Sequence, residues 1–460
     1  MLDLKWVREN PEKLKQIILN KAGGDSSKVL VKNANVDKFL KLDLERSSVI
    51  KEIEEINAKR NEIAELLQDE SKRTSEMVSE AKALKDKLPE LEMKLAEIEK
   101  TWLEIQSWFP NIPYEGMIVG SSDEENPEVY ARSFKDERIE LGYGSKRQPW
   151  CPDVSPHWDE RLQSGEMKPK HHLDLFLDLG LVNLEQGAKS SGTRFIYLLG
   201  DLVKMRRAVH RMMELELEKK GYFWVDPPLL VKEKVLFGTS HLPEGKDQVY
   251  EVSSEYLEEK DRLFLVGSSE PPNFALYMDR TVKESELPAK MMAVTPCFRS
   301  EVGSWGKDVK GIKRIHQFTK MELDVVCTAD QSSQIYDELL DINKWLLTKL
   351  ELPFHVVEKV SGDSGYNASA RQADPEVWLT AQQEFIEVGT DTNATDFQAR
   401  RMNMKYIDKD GNKKYCHTVN CTGGPDRILI AIADNYQQSD GSIKVPEVLR
   451  EFMGREFIGK

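Results

Sequence analysis

Between Cys297 and Gly303 the chain reads CFRSEVG, and after a charged loop it reads IHQFTKMELDVV. Apolar runs on both sides give the two pieces the pattern of strands, with Arg299 and Glu301 on the first and Phe318, Lys320 and Glu322 on the second. An arginine and a glutamate two apart on an extended segment share a face. If that face is buried the charges need partners, because an unpaired buried charge is too costly to keep. Two chemistries fit. One is a charged hairpin with cross-strand pairs, with Lys307, Asp308, Lys310, Lys313 and Arg314 in its loop and His316 also on the second strand. The other is a nucleotide site: Arg299 on a phosphate, Phe318 stacked on a base, and Glu301 accepting from an exocyclic amine. These residues alone leave the choice open.

The elements that must position them are mixed. LFLVGSSEP, AVTPCFRSE, FTKMELDVVC, TDFQARRMNMKYID and KKYCHTVNCTG read as strands, while 200–222, QSSQIYDELLDINKWLLTKL and RILIAIADNYQQ read as helices. Short links such as Asp410-Gly411 predict a largely antiparallel sheet. No GxGxxG follows a strand and no GxxxxGK[ST] occurs, so neither a Rossmann nor a P-loop site is supported.

The first 110 residues follow another rule. Asn10-Pro11 marks a helix start, with Gly23-Gly24 beyond its end. Phe39, Leu42, Arg46, Val49, Ile53, Ile56, Arg60, Ile63 and Leu67 then step by threes and fours, as do Met77, Ala81, Leu84, Leu88, Leu91, Leu95, Ile98, Trp102 and Ile105. Two such seams, joined by the polar QDESKRTS at 68–75, predict an antiparallel coiled-coil hairpin, roughly 45 Å long at 1.5 Å per residue. Pro89 should kink the second helix or remove one hydrogen bond. Periodicity alone fits a structural or dimerising coil as well as a binding arm.

Composition bounds the rest. At 460 residues the chain can hold two or three domains, and its net charge of −14 leans against a protein coated in nucleic acid. No long apolar run suggests a membrane span. Five scattered cysteines predict neither a disulfide framework nor a zinc site, and place the protein in the cytoplasm.

CFRSEVGSWGKDVKGIKRIHQFTKMEL resembles the second class-defining motif of class II aminoacyl-tRNA synthetases, in the form of the seryl-tRNA synthetases. HHLDLFLDLGLVNLEQGAKSSGTRFIYLLGD, GYFWVDPPLLV, HTVN and NYQQSDGSIKVPEVLREFMG resemble further landmarks of that family in the same order, and the hairpin resembles its tRNA-reading arm. The resemblance spans essentially the whole chain. It implies an α+β protein: a helical domain with a coiled-coil arm over 1–110, and over 111–460 a catalytic domain built on an antiparallel sheet flanked by helices. It implies a homodimer that activates L-serine with ATP and Mg2+ and passes it to tRNA(Ser), with the selenocysteine tRNA as a further acceptor and with the arm able to serve the active site across the dimer. Alternatives are a paralogue that adenylates serine or another small amino acid for a non-tRNA acceptor, or a non-catalytic coiled-coil homologue.

Carried over residue by residue, the resemblance makes Arg299 and Arg427 catalytic, holding the α- and γ-phosphates. It gives ATP the residues Arg299, Ser300, Glu301, Ile315, Phe318, Glu387, Val388, Gly389, Thr390 and Arg427, and Mg2+ the residues Glu387 and Thr390. Serine falls to Ser268, Ser269, Glu270, Arg299, Glu322, Asn420 and Thr422. The chain departs from the family pattern at Ser268-Ser269, through 387–397, in a shortened 420–427 where Asp426 replaces a glycine, and at Asp434, which replaces a glutamate.

Overall fold

The computed structural model describes residues 1–66, 68, 74–134, 138–139, 154–256, 258, 261–302 and 311–459. Lys307, Asp308, Lys310, Cys151, Leu67 and most of the turn at 68–75 lie outside them. The chain divides into two compact units, Met1–Pro110 and Asn111–Lys460.

In the first unit a helix starts at Pro11 and runs to Lys21. Two long helices follow, α1 (Val36–Leu66) and α2 (Ser75–Ser107). Val49 and Ile56 of α1 are buried with Leu88, Leu91 and Ile98 of α2, and Leu42, Ile53, Leu84 and Leu95 pack against them. The heptad seam is therefore the interface. Arg46 occupies a seam position without stranding its charge: its guanidinium bonds Glu99 at 2.9 Å and lies 5.1 Å above the Trp102 ring. Thr74 caps α2 by accepting the Met77 N–H at 3.2 Å. Pro89 sits inside α2, which continues through it.

The second unit is organised by a ten-stranded sheet. Its strands are β1 (Glu128–Arg132), β2 (Arg138–Ile139), β3 (Phe223–Trp224), β4 (Ala289–Phe298), β5 (Gln317–Cys327), β6 (Phe354–Glu358), β7 (Arg371–Leu379), β8 (Glu384–Glu387), β9 (Asp391–Thr395) and β10 (His417–Gly423). The order is β2-β1-β6-β7-β9-β10-β5-β4-β3, with β8 paired to β7. Every neighbouring pair is antiparallel except β3 and β4.

Strand alternation gives this sheet two different faces. Met321, Leu323, Val325 and Cys327 of β5, with Val419 and Cys421 of β10, enter the main core. That core is completed by helices α3 (Gly200–Lys219), α4 (Ser332–Lys349) and α6 (Arg427–Tyr436). The intervening residues Lys320, Glu322 and Asp324 of β5, and Asn420 and Thr422 of β10, take the opposite face. Register sets Glu322 across from Thr422 and Asp324 across from Asn420.

Three expectations change. First, β4 ends at Phe298, where its ladder with Gln317 stops. Arg299 N–H then bonds His316 O at 3.0 Å, Ser300 N–H bonds Gln248 O at 3.1 Å, and Glu301 has φ +50°. Arg299 and Glu301 are not a same-face pair on a strand. Second, TDFQARRMNMKYID is not one strand. Residues Phe397–Met402 form a helix, α5, because Phe397, Gln398, Ala399 and Met402 all turn inward and Asn403 closes it in the left-handed conformation. Beyond Thr395, which ends β9, only Lys405–Ile407 is a strand, parallel to Thr281–Lys283. Third, KKYCHTVNCTG splits: Lys413–Tyr415 pairs with Lys405–Ile407, and only His417–Gly423 joins the large sheet.

Candidate active site

A cavity of about 570 Å³ opens over the polar face of β5 and β10. It divides into an acidic end and an end lined by arginines.

At the acidic end Glu322 is buried and fully engaged. Ser268 Oγ donates to its Oε2 at 3.0 Å, Asn420 Nδ2 to its Oε1 at 3.4 Å, and Lys320 forms an ion pair with Oε2. Lys320 also donates to Thr422 Oγ1 at 3.1 Å. Burial opposes the lysine charge, but Glu322 outweighs it and holds the Lys320 pKa above its ordinary value. Glu270 stands on the far side. Its N–H bonds Ser268 Oγ at 3.1 Å, and its Oε1 accepts from Gln398 Nε2 at 2.7 Å. Burial, reinforced by the Glu322 charge, lifts its pKa to about 7. Asp324 lies deeper, bonded by Asn273 Nδ2 at 2.7 Å, and burial with the Glu322 and Glu270 charges raises its pKa strongly. Three acids thus surround one lysine, an arrangement that favours an incoming ammonium group.

At the other end Arg299 Nε donates to Gly267 O at 3.2 Å, and its guanidinium lies 5.3 Å over the Phe318 ring. Glu301 pairs with Arg314 at 3.5 Å and Arg194 at 3.9 Å, so the salt-bridge role belongs to those two arginines. Arg427, first residue of α6, contacts Glu387 Oε1 at 3.4 Å and donates to Lys313 O at 3.2 Å. Thr390 Oγ1 donates to the same Glu387 oxygen at 3.4 Å. Gly389 leaves the wall thin, since a Cβ there would sit 3.1 Å from both Asn343 Nδ2 and Thr422 O.

Ser268, Glu270, Arg299, Glu301, Ile315, Phe318, Glu322, Glu387, Gly389, Thr390, Asn420, Thr422 and Arg427 all line this one cavity. Three sequence candidates do not. Ser269 and Val388 are buried behind the wall, and Ser300 Oγ turns away to the Asp247 carbonyl. The cavity also gathers residues with no prior role, among them His241, Glu244, Tyr366, Gln372 and Asp426. His241 takes a hydrogen bond with Thr239 Oγ1 at 2.9 Å, and burial, then the Arg299 and Lys320 charges, push its pKa down to about 3. Gln372 lies on β7, while His241, Glu244, Tyr366 and Asp426 come from irregular segments whose sequence carries no periodic signal.

Comparison with known proteins settles the family. Residues 1–113 match the seryl-tRNA synthetase N-terminal domain, and residues 250–436 match the tRNA synthetase class II core domain (G, H, P, S and T). The chain is 36% identical over 471 residues to the serine–tRNA ligase of Thermotoga petrophila, covering 100% of both chains. It is 33% identical to that of Fervidobacterium nodosum, covering 100% of this chain and 99% of the relative. The chain belongs to the seryl-tRNA synthetase family. Among solved structures, the seryl-tRNA synthetase from Pyrococcus horikoshii complexed with ATP superposes with a TM-score of 0.82 at 31% identity, covering 100% of this chain and 99% of that one. The cytoplasmic serine–tRNA ligase from Naegleria fowleri in complex with AMP gives 0.78 at 29%, covering 100% and 98%. The synthetase fold thus accounts for both units.

Proposed function

We propose that this chain is a serine–tRNA ligase that works at the cavity described above. The observation that carries the reading is the meeting, in one 570 Å³ space, of an acid-rich pocket with two arginines and an aromatic ring. Such a space fits an amino acid at one end and a nucleotide triphosphate at the other.

In this reading the seryl ammonium lies among Glu270 and Glu322, and the hydroxyl bonds within the set Ser268, Asn420 and Thr422. Alanine would leave those buried polar groups unpaired, which a polar pocket discriminates against strongly. Phe318 stacks on adenine and Glu301 accepts from its amino group. Arg299 bridges the serine carboxylate and the α-phosphate, and Arg427 holds the γ-phosphate. The serine carboxylate oxygen attacks the α-phosphorus, and the bond to the bridging oxygen breaks to release pyrophosphate. A hydroxyl of the terminal tRNA ribose then attacks the acyl carbonyl; the acyl C–O bond breaks, AMP leaves with that electron pair, and the hydroxyl proton passes to the departing phosphate or to water. The carboxylate is already a nucleophile, so positioning and charge neutralisation carry the first step.

Glu387 and Thr390 present carboxylate and hydroxyl oxygens, the hard donors that suit Mg2+. Bound with the nucleotide, that ion would neutralise phosphate charge. The hairpin of α1 and α2 is the proposed tRNA(Ser) arm, consistent with the family match over 1–113. A homodimer is proposed through the edge strand β3, where Phe223 and Trp224 are 42% and 44% exposed. The proposed compartment is the cytoplasm, where tRNA is charged and the buried thiols of Cys297, Cys327, Cys416 and Cys421 stay reduced.

The test is ATP–pyrophosphate exchange and tRNA charging by the purified chain with serine, alanine, threonine and cysteine. Serine-dependent exchange and charging are expected, with Arg299→Ala abolishing both. Exchange without charging points to a non-tRNA acceptor, and no exchange with any amino acid rejects the proposal.

A further inference from the structure

Asp426 immediately precedes Arg427, lines the same cavity and is only 4% exposed. The ladder between β5 and β10 ends at Met321 and Gly423, so Thr319 lies beyond the last strand pair. Asp426 supplies both halves of the next pair. Its N–H donates to Thr319 O at 3.2 Å, and its Oδ2 accepts the Thr319 N–H at 2.8 Å. A side-chain carboxylate stands where a backbone carbonyl would otherwise continue the sheet. The remaining oxygen, Oδ1, faces Arg206 of α3 at 3.4 Å. One turn along α3, His210 Nε2 meets Gly424 O at 2.8 Å. The turn from Gly424 to Asp426 is therefore tied to β5 on one side and to α3 on the other.

The neighbours of this bridge are the two walls of the nucleotide end. Phe318 is the residue before Thr319, and Arg427 is the residue after Asp426. We propose that Asp426 is a positioning residue, locked by Arg206, that fixes the spacing between the Phe318 ring and the Arg427 guanidinium. Both carboxylate oxygens are engaged away from the cavity, and Arg206 offsets a negative charge that would otherwise repel the phosphates beside Arg427. The inference rests on the reading that the cavity takes ATP.

Direct calorimetry of ATP binding to the full chain tests it, alongside the serine KM from exchange and the thermal midpoint. Asp426→Ala removes the side-chain half of the bridge together with the Arg206 pair, and should weaken ATP binding ~10-fold or more while leaving the serine KM within about twofold. Asp426→Asn keeps an acceptor for Thr319 but loses the charge pair, and Arg206→Met loses the same pair from the other side. Each should weaken ATP binding less than Asp426→Ala does, and the double variant should be no worse than Asp426→Asn alone, because both remove one interaction. Unchanged ATP affinity in a folded Asp426→Ala protein overturns the proposal. So does a parallel loss of ATP and serine affinity, which would mark general loosening. Should Asp426→Ala fail to fold, the near-isosteric Asp426→Asn and Arg206→Met decide by the same split. A wild-type chain that binds ATP but shows no serine-dependent exchange would sink the serine reading and leave the ATP comparison intact.

Discussion

Lys320 and Glu322, two residues apart on β5, form a buried ion pair on the floor of the cavity, with side chains 7% and 1% exposed. Same-face spacing on a strand produces this pair. Removing one partner of a buried pair leaves a stranded charge, at a cost of about 3–5 kcal/mol. Lys320→Met should therefore lower the thermal midpoint and reduce serine-dependent exchange ~100-fold or more. Lys320→Met/Glu322→Gln should recover stability without recovering exchange, since the carboxylate proposed to hold the ammonium is gone. If the double variant is no more stable than the single one, the pair is not what holds this floor together.

In the proposed function Glu270 gives the acid-rich end of the cavity a pH-dependent affinity for serine. Its pKa is lifted to about 7 by burial and by the Glu322 charge, so below that pH the carboxyl is held protonated and uncharged. An ammonium ligand binds the ionised form. The serine KM should fall as pH rises from 6 through 7 and level off above, while serine itself keeps its ammonium. Glu270→Gln should raise the KM and remove the slope. A wild-type serine KM that is flat across this range would contradict the assignment.

The same pair logic explains what was and was not legible in the chain. Two-residue spacing placed Arg299 and Glu301 on one face, yet the strand ends at Phe298 and Glu301 turns into positive φ. The rule was sound and the strand boundary was not: CFRSE is continuous in pattern, and nothing local marks the loss of the ladder partner. At Lys320 and Glu322 the rule holds because β5 continues to Cys327 with neighbours on both sides. The coiled coil was legible residue by residue because heptad spacing and packing are one fact. Phe397–Met402 was misread as strand because its helix is a single short segment fixed by burial rather than by an amphipathic repeat. His241, Tyr366 and Asp426 reach the cavity only through tertiary folding of irregular segments, which no local spacing encodes.

His355 offers a stability test remote from the cavity. It is fully buried between Glu128, 2.5 Å from Nδ1, and Glu376, 2.8 Å from Nε2, with its ring stacked on Phe385 at 3.7 Å. Burial opposes its charge, but the hydrogen bonds to Glu128 and Glu376 outweigh it and raise the pKa above the ordinary histidine value. A raised folded-state pKa means stability that is complete below the unfolded value of about 6.5 and lost as pH rises through the folded one. The urea midpoint should thus fall between pH 6 and 9, and His355→Gln should flatten that part of the slope. Equal slopes in the two proteins would show that the triad is not protonated in the fold.

The arm carries the last prediction. Its helices bury a seam of their own, from Val49 and Ile56 to Leu88, Leu91 and Ile98, while the second unit has its own cores, one joining β5 to α6 and another that includes Ala399 and Met402 of α5. Replacing 37–107 with a short Gly/Ser linker should therefore leave the second unit folded. Serine-dependent exchange, which the proposed function assigns to that unit, should stay within ~3-fold of the full chain, while tRNA charging should drop ~100-fold or more. In the full chain, the KM for tRNA should rise with salt as phosphate contacts are screened, whereas the serine KM should not follow it. A linker variant that charges tRNA normally would leave the hairpin a structural coil, and one that loses exchange as well would show that the catalytic unit does not stand alone.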